Sequence, residues 1–123
     1  MPHPSEHSPA ATPLPADEAD RLAEWMSAFT AGSRLRILYS LLEGERAVVD
    51  IAADTGLPAS LVSQQLRVLR HLRAVRSRRD GRRAIYRLFD HHVADLLSAI
   101  RYHAEHEHLD RETPSRQAGG TRT

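Results

Sequence analysis

The sequence predicts a mainly α-helical domain that carries one small β-hairpin. Three observations lead there. Apolar residues recur at helical spacing over most of residues 17–108, a Pro-led helix follows a Gly-ended one in the middle of the chain, and an Asp-Gly turn sits between two short alternating runs just after. The chain has 123 residues, which suits one domain with a modest core.

Residues 1–16 are rich in Pro, Ser and Ala and read as a disordered arm, whose His3 and His7 are candidates for an extra metal ligand. From Asp17 to about Thr30, Leu22, Trp25, Met26 and Phe29 form the apolar stripe of a first helix. Ser33 is placed to cap a second helix built on Leu35, Ile37, Leu38, Leu41 and Leu42, with Gly44 as its stop. Arg46–Ala47 suits a short strand. A third helix then runs from Val48 or Val49 to Thr55 and ends at Gly56. Pro58 sits at the first turn of the fourth, where a missing N–H matters least.

The third and fourth helices read as a helix-turn-helix. In the fourth, Val62, Leu66 and Leu69 point inward by spacing, so Ser60, Ser63, Gln64 and Arg67 point outward. Such hydrogen-bonding side chains on the first half of a helix suit base edges and phosphates in a major groove. Val75–Arg79 and Arg83–Leu88 flank Asp80-Gly81 as a hairpin, with Arg78, Arg79, Arg82 and Arg83 at its tip. A basic hairpin after a reading helix makes a winged helix whose tip meets the DNA backbone or minor groove.

Charge supports the same partner. Net charge is only +1, but every one of the 17 basic residues counted as Lys or Arg is Arg. Between Arg67 and Arg87 the arginines crowd with Asp80 as the single acid, a local field suited to double-stranded DNA. There is no Cys, which excludes disulfides and thiolate metal sites. No apolar run is long enough to span a membrane, and no secretory signal opens the chain, so the expected setting is the cytoplasm.

The last helix is predicted from Asp90, its N-cap, to His108, with Val93, Leu96, Leu97 and Ile100 as its stripe. His92 and His103 share a face, about 20° apart around the axis but about 16 Å apart along it. No metal ion bonds both within one helix. Two antiparallel copies remove the difficulty. The midpoints of the pairs His92/His103 and Asp90/His106 fall at about 97.5 and about 98, one common two-fold point. Asp90 and His92 of one chain would then meet His103 and His106 of the other, giving two symmetric N/O sites per homodimer. A solvated His-rich surface is the plain alternative, and it is kept for His91 and His108, which lie off the stripe. A metal-dependent hydrolase would need a substrate cleft and a general base, and a metal buffer would have no use for the basic wing; neither fits as well.

The runs Thr30-Ala31-Gly32-Ser33-Arg34-Leu35-Arg36-Ile37-Leu38 and Leu57-Pro58-Ala59-Ser60-Leu61-Val62-Ser63-Gln64-Gln65-Leu66-Arg67-Val68-Leu69, with the Arg-rich wing, resemble the ArsR/SmtB family of bacterial metal-responsive regulators over about residues 20–108. The resemblance implies a homodimeric winged helix, with its first and last helices at the interface, that is a transcriptional repressor rather than an enzyme. It places Gln65 with Ser60, Ser63, Gln64 and Arg67 on the reading helix. It also implies a metal site at Asp90, His92, His103 and His106, which match the family's Asp-x-His and His-x-x-Glu/His pattern. Members that sense nickel or cobalt are similar in having His as the last ligand and a small residue before His in the arm, here Pro2-His3. The implied effector is therefore Ni(II) or Co(II), with Zn(II) as the alternative, and a signal other than a metal as a further one. Gln65 departs from the His that many members carry, and Arg73 from their Gly before the wing. Residues 109–123 are polar and read as a disordered tail.

Overall fold

The computed structural model describes residues 12–122, with side chains described as far as Glu107. The chain runs α1 (Ala16–Met26), a 3-10 turn (Ser27–Phe29), α2 (Gly32–Ser40), a second 3-10 turn (Leu41–Glu43), β1 (Arg46–Ala47), α3 (Val48–Thr55), α4 (Ala59–His71), β2 (Val75–Asp80), β3 (Arg83–Leu88) and α5 (His91–Arg122). The strands form one antiparallel sheet in the order β1-β3-β2. This is the expected winged helix-turn-helix. Among the described residues no helix is long and apolar enough to cross a membrane.

The core follows from the helical stripes. Ile37 and Leu38 of α2, Ile51 of α3, Val62, Leu66 and Leu69 of α4 and Leu97 of α5 are completely buried together. Burial of this inward face turns the opposite face of α4 to solvent. Thr55 closes the turn between α3 and α4: its hydroxyl donates to the Ile51 carbonyl and accepts from the Leu57 amide. Gly56 follows at φ +75, the left-handed end that glycine supplies without strain.

α1 is different, because none of its residues is buried. Trp25, with Phe29 edge-on at 5.0 Å, packs partly against the core, which contains Val93 and Leu97. Leu22 and Met26 stay 45% and 55% exposed, and Ile100 and Tyr102 of α5 are exposed as well. Within one chain, then, Trp25 and Phe29 of the apolar stripe meet the core, and Leu22 and Met26 do not.

Four local expectations shift. Ala31, not Ser33, precedes α2, and it makes no side-chain cap. Pro58 stands one place earlier than expected, as the N-cap of α4 at φ −61. The wing turn is Gly81-Arg82, not Asp80-Gly81: Asp80 stays extended opposite Arg83, and positive φ falls on Gly81 alone. That sign pattern is the type II′ loop, which wants Gly first. Finally, α5 continues to Arg122, beyond the boundary expected at His108. No Gly or Pro stands between Arg101 and Thr113 to stop it, and the helix then runs on through Pro114, Gly119 and Gly120, which local sequence signals do not explain.

Candidate functional site

The exposed face of α4 presents Ser60, Ser63, Gln64 and Arg67, as their spacing required. Gln65 does not stand free beside them. It is half-buried, and its side-chain oxygen accepts a 2.8 Å hydrogen bond from Nε of Arg34. Arg34 also donates through NH1 to the carbonyl of Ser27. One guanidinium therefore holds the reading helix to α2 and to the turn after α1. Arg34 stands within the Ser-Arg-Leu-Arg-Ile-Leu run, but its partner lies 31 residues away, so no local signal in the sequence marks the contact.

The four wing arginines divide into two kinds. Arg78 is paired with Glu45 at 2.7 Å, and Arg83 with Asp50 of α3 at 3.4 Å. The hydrogen bond from Arg78 holds the Glu45 carboxyl below its usual range. Arg79 and Arg82 are exposed at the tip and have no hydrogen-bond or ion-pair partner among the described residues. The tip thus offers two free cations, and two more that are already neutralised within the chain.

Asp90 is the N-cap of α5. Its Oδ1 accepts from the amides of His92, at 3.0 Å, and Val93, at 3.3 Å. Its Oδ2 lies 3.5 Å from Nδ1 of His92. Desolvation pushes the Asp90 carboxyl up, but the amides of Val93 and His92 and the imidazole beside it outweigh this and leave it lowered. The group is therefore a carboxylate at neutral pH, with one oxygen spent on the helix and one turned towards His92.

Further along the same helix, Nδ1 of His106 lies 3.0 Å from the Tyr102 carbonyl, and the two rings stack at 4.0 Å. Donation from Nδ1 to that carbonyl leaves Nε2 with its lone pair free, the usual way a ligating imidazole is oriented. His103 is exposed, with Nε2 3.9 Å from a Glu107 carboxylate oxygen. No group of three or more His, Asp or Glu that could hold a metal ion forms among the described residues of one chain. Instead there are two donor pairs on α5, Asp90/His92 and His103/His106, about 16 Å apart by helical rise between His92 and His103. Their N and O donors suit a borderline divalent ion. His3 and His7 lie outside the described residues.

A buried helix-turn-helix, an outward reading face and a basic wing define a winged-helix regulatory protein. Residues 32–77 match the family described as bacterial regulatory protein, arsR family. The chain is 45% identical over 97 residues to the HTH-type transcriptional regulator NmtR of Mycobacterium tuberculosis, covering 79% of this chain and 81% of that one. It is 42% identical over 89 residues to the transcriptional repressor SmtB homolog of Synechocystis, covering 72% and 67%. Among solved structures it resembles the homodimeric winged helix-turn-helix DNA-binding domain of Mb0332 from Mycobacterium bovis, with TM-score 0.70, 38% identity, and 78% and 88% of the two chains covered. The solution structure of apo-NmtR superposes with TM-score 0.66 at 44% identity, covering 77% and 80%. The chain belongs to the arsR family of bacterial regulatory proteins, a family of regulators and not of enzymes.

Proposed function

We propose that this protein is a homodimeric, metal-responsive transcriptional repressor that leaves its operator when Ni(II) or Co(II) joins the two α5 helices. The observation that carries the reading is the split of the donors into two pairs on one helix, each incomplete and the two disposed symmetrically about Leu97 and Ser98. An antiparallel partner helix supplies to each pair what it lacks. The exposed Leu22, Met26, Ile100 and Tyr102 offer apolar surface for such a partner. The homodimeric Mycobacterium bovis neighbour and the Synechocystis repressor support the dimer and the sign of regulation.

In this reading Ser60, Ser63, Gln64 and Arg67 read the major groove, and Arg79 and Arg82 meet backbone phosphate. Asp90 and His92 of one chain, with His103 and His106 of the other, would hold the metal. When bound, the ion supplies a cross-link between the two helices. The paired helices then favour a dimer geometry that no longer spaces the two reading heads for successive grooves. The coupling is reciprocal: DNA lowers metal affinity by the same factor.

The test is a fluorescent duplex from the gene's own upstream region, titrated as its protein complex with Ni(II), Co(II) and Zn(II), for wild type and His92→Ala. Release by Ni(II) or Co(II), lost in the variant, is the expected result. Release by Zn(II) alone would move the assignment to zinc, which four N/O donors also satisfy as a closed tetrahedral set. DNA binding untouched by all three would remove the metal from the mechanism.

A further inference from the structure

A cavity that this function does not use opens where α4 hands over to the wing. Arg70, His71, Arg73, Arg76, Ser77 and Phe89 line it, and its volume is about 610 Å3. Three arginines and a histidine are among its lining residues, and no acidic residue is. The wing tip is the contrast, since there Arg78 and Arg83 are each paired with an acid.

The cavity is ordered by its own contacts. Arg70 donates through NH1 to the Ser77 hydroxyl at 3.2 Å. Arg76 donates through Nε to the Phe89 carbonyl at 2.9 Å, and its guanidinium lies 4.0 Å over the Phe89 ring. Both side chains are positioned while keeping further N–H donors available. Arg73 is the one non-glycine residue at positive φ among the described residues, at +62. Arg70 and His71 can be explained as cations complementing the carbonyl end of α4. Arg73 and Arg76 lie beyond that helix, and Arg73 adds a cation at a position where glycine would relieve strain.

We infer that this cavity is a phosphate-binding site, with the guanidiniums of Arg70, Arg73 and Arg76 as its donors. Forked N–H groups match phosphate oxygens two at a time, and among the described residues no carboxylate is paired with them. The phosphate has two possible sources. One is the DNA backbone flanking the operator, since Arg70 lies about 15 Å along α4 from the reading end at Ser60; that arm rests on the function proposed above. The other is a free phosphorylated anion, which does not.

The experiment uses the full chain, wild type, Arg73→Gly and Arg70→Gln. Inorganic phosphate is titrated while amide NMR signals of residues 70–77 are followed. In parallel, the salt dependence of binding is measured on the upstream duplex with and without flanking base pairs. Arg73→Gly suits the backbone at this position, so it removes the cation without threatening the fold. Expected is a saturable phosphate response in the wild type, weakened severalfold in both variants. A DNA source adds a loss of about 0.9 in the log–log salt slope per contact removed, on the flanked duplex only. Saturation by phosphate with an unchanged slope assigns the site to a free anion. A changed slope on the flanked duplex without saturation by phosphate assigns it to DNA. No saturable response together with unchanged slopes overturns the site. Failure of the wild type to bind DNA overturns the proposed function instead, and the phosphate titration still judges the cavity.

Discussion

The hydroxyl of Tyr39 donates a 2.6 Å hydrogen bond to the carbonyl oxygen of Leu97. It ties α2 to the second turn of α5, at the residue about which the two donor pairs are symmetric. α2 also carries Arg34, which holds Gln65 of the reading helix. One short helix therefore touches both the element that carries the metal donors and the element that faces DNA.

Tyr39→Phe should lower unfolding stability by about 1 kcal/mol, the usual net value of one such bond. It should also shrink the difference in DNA affinity with and without metal, read by anisotropy. An unchanged difference would show that α5 and α2 stay together without the bond. Burial raises the Tyr39 hydroxyl above its ordinary value of 10.0, against an opposing effect of Arg101. A raised pKa favours the folded state while the hydroxyl is protonated. The joint is therefore intact at neutral pH and is lost as alkaline pH passes the folded value.

Asp90 has two separable duties, the helix cap and the carboxylate beside His92. Asp90→Asn should keep the cap, because an amide oxygen accepts the same two bonds. Its thermal midpoint should stay close to that of wild type while metal affinity falls at least about tenfold. Asp90→Ala should lose both. Equal metal affinity in Asp90→Asn and wild type, by competition with a chelator dye, would take Asp90 out of the ligand set.

The acids beneath the wing restrain its charge. Glu45→Gln combined with Asp50→Asn should free Arg78 and Arg83, tighten DNA binding and steepen the salt slope by up to about 2. In the wild type the Glu45–Arg78 pair is present at neutral pH and is lost as acid passes the lowered Glu45 value. Unchanged slopes in the double variant would mean that neither arginine reaches the duplex.

Arg73 ends α4 in a left-handed turn, with its amide bonded to the Arg70 carbonyl and the Ala74 amide to the Leu69 carbonyl. Arg73→Gly should raise stability by roughly 0.5–1 kcal/mol, since the strain relieved exceeds the added chain entropy of glycine. Denaturant melts would show it; a loss of stability would mean that the side chain, not the backbone, decides the site.

What was legible in the chain follows one pattern. Val62, Leu66 and Leu69 announced the inward face of α4 by spacing, and Asp90 its cap by position, because both are set within a turn or two of helix. The departure of Arg73 from glycine marked the one non-glycine residue at positive φ among the described residues. The partners of Gln65, Arg78 and Arg83 were not legible, for they lie 31, 33 and 33 residues away and depend on how elements dock. The wing turn slipped because Asp80 suits a turn as well as a strand end, and its pairing with Arg83 decided between them. The length of α5 was not legible because the residues after His108 are almost all polar and carry no apolar stripe by which spacing could mark a helix.

The distance between the two donor pairs on α5 has a genetic consequence. If each site takes one pair from each chain, a single polypeptide cannot be judged by its own defects. Coexpression of Asp90→Ala with His103→Ala would create mixed dimers in which all the damage falls on one site and the other is whole. Two alleles, each blind to metal alone, would then restore a response together, through the one intact site of each mixed dimer.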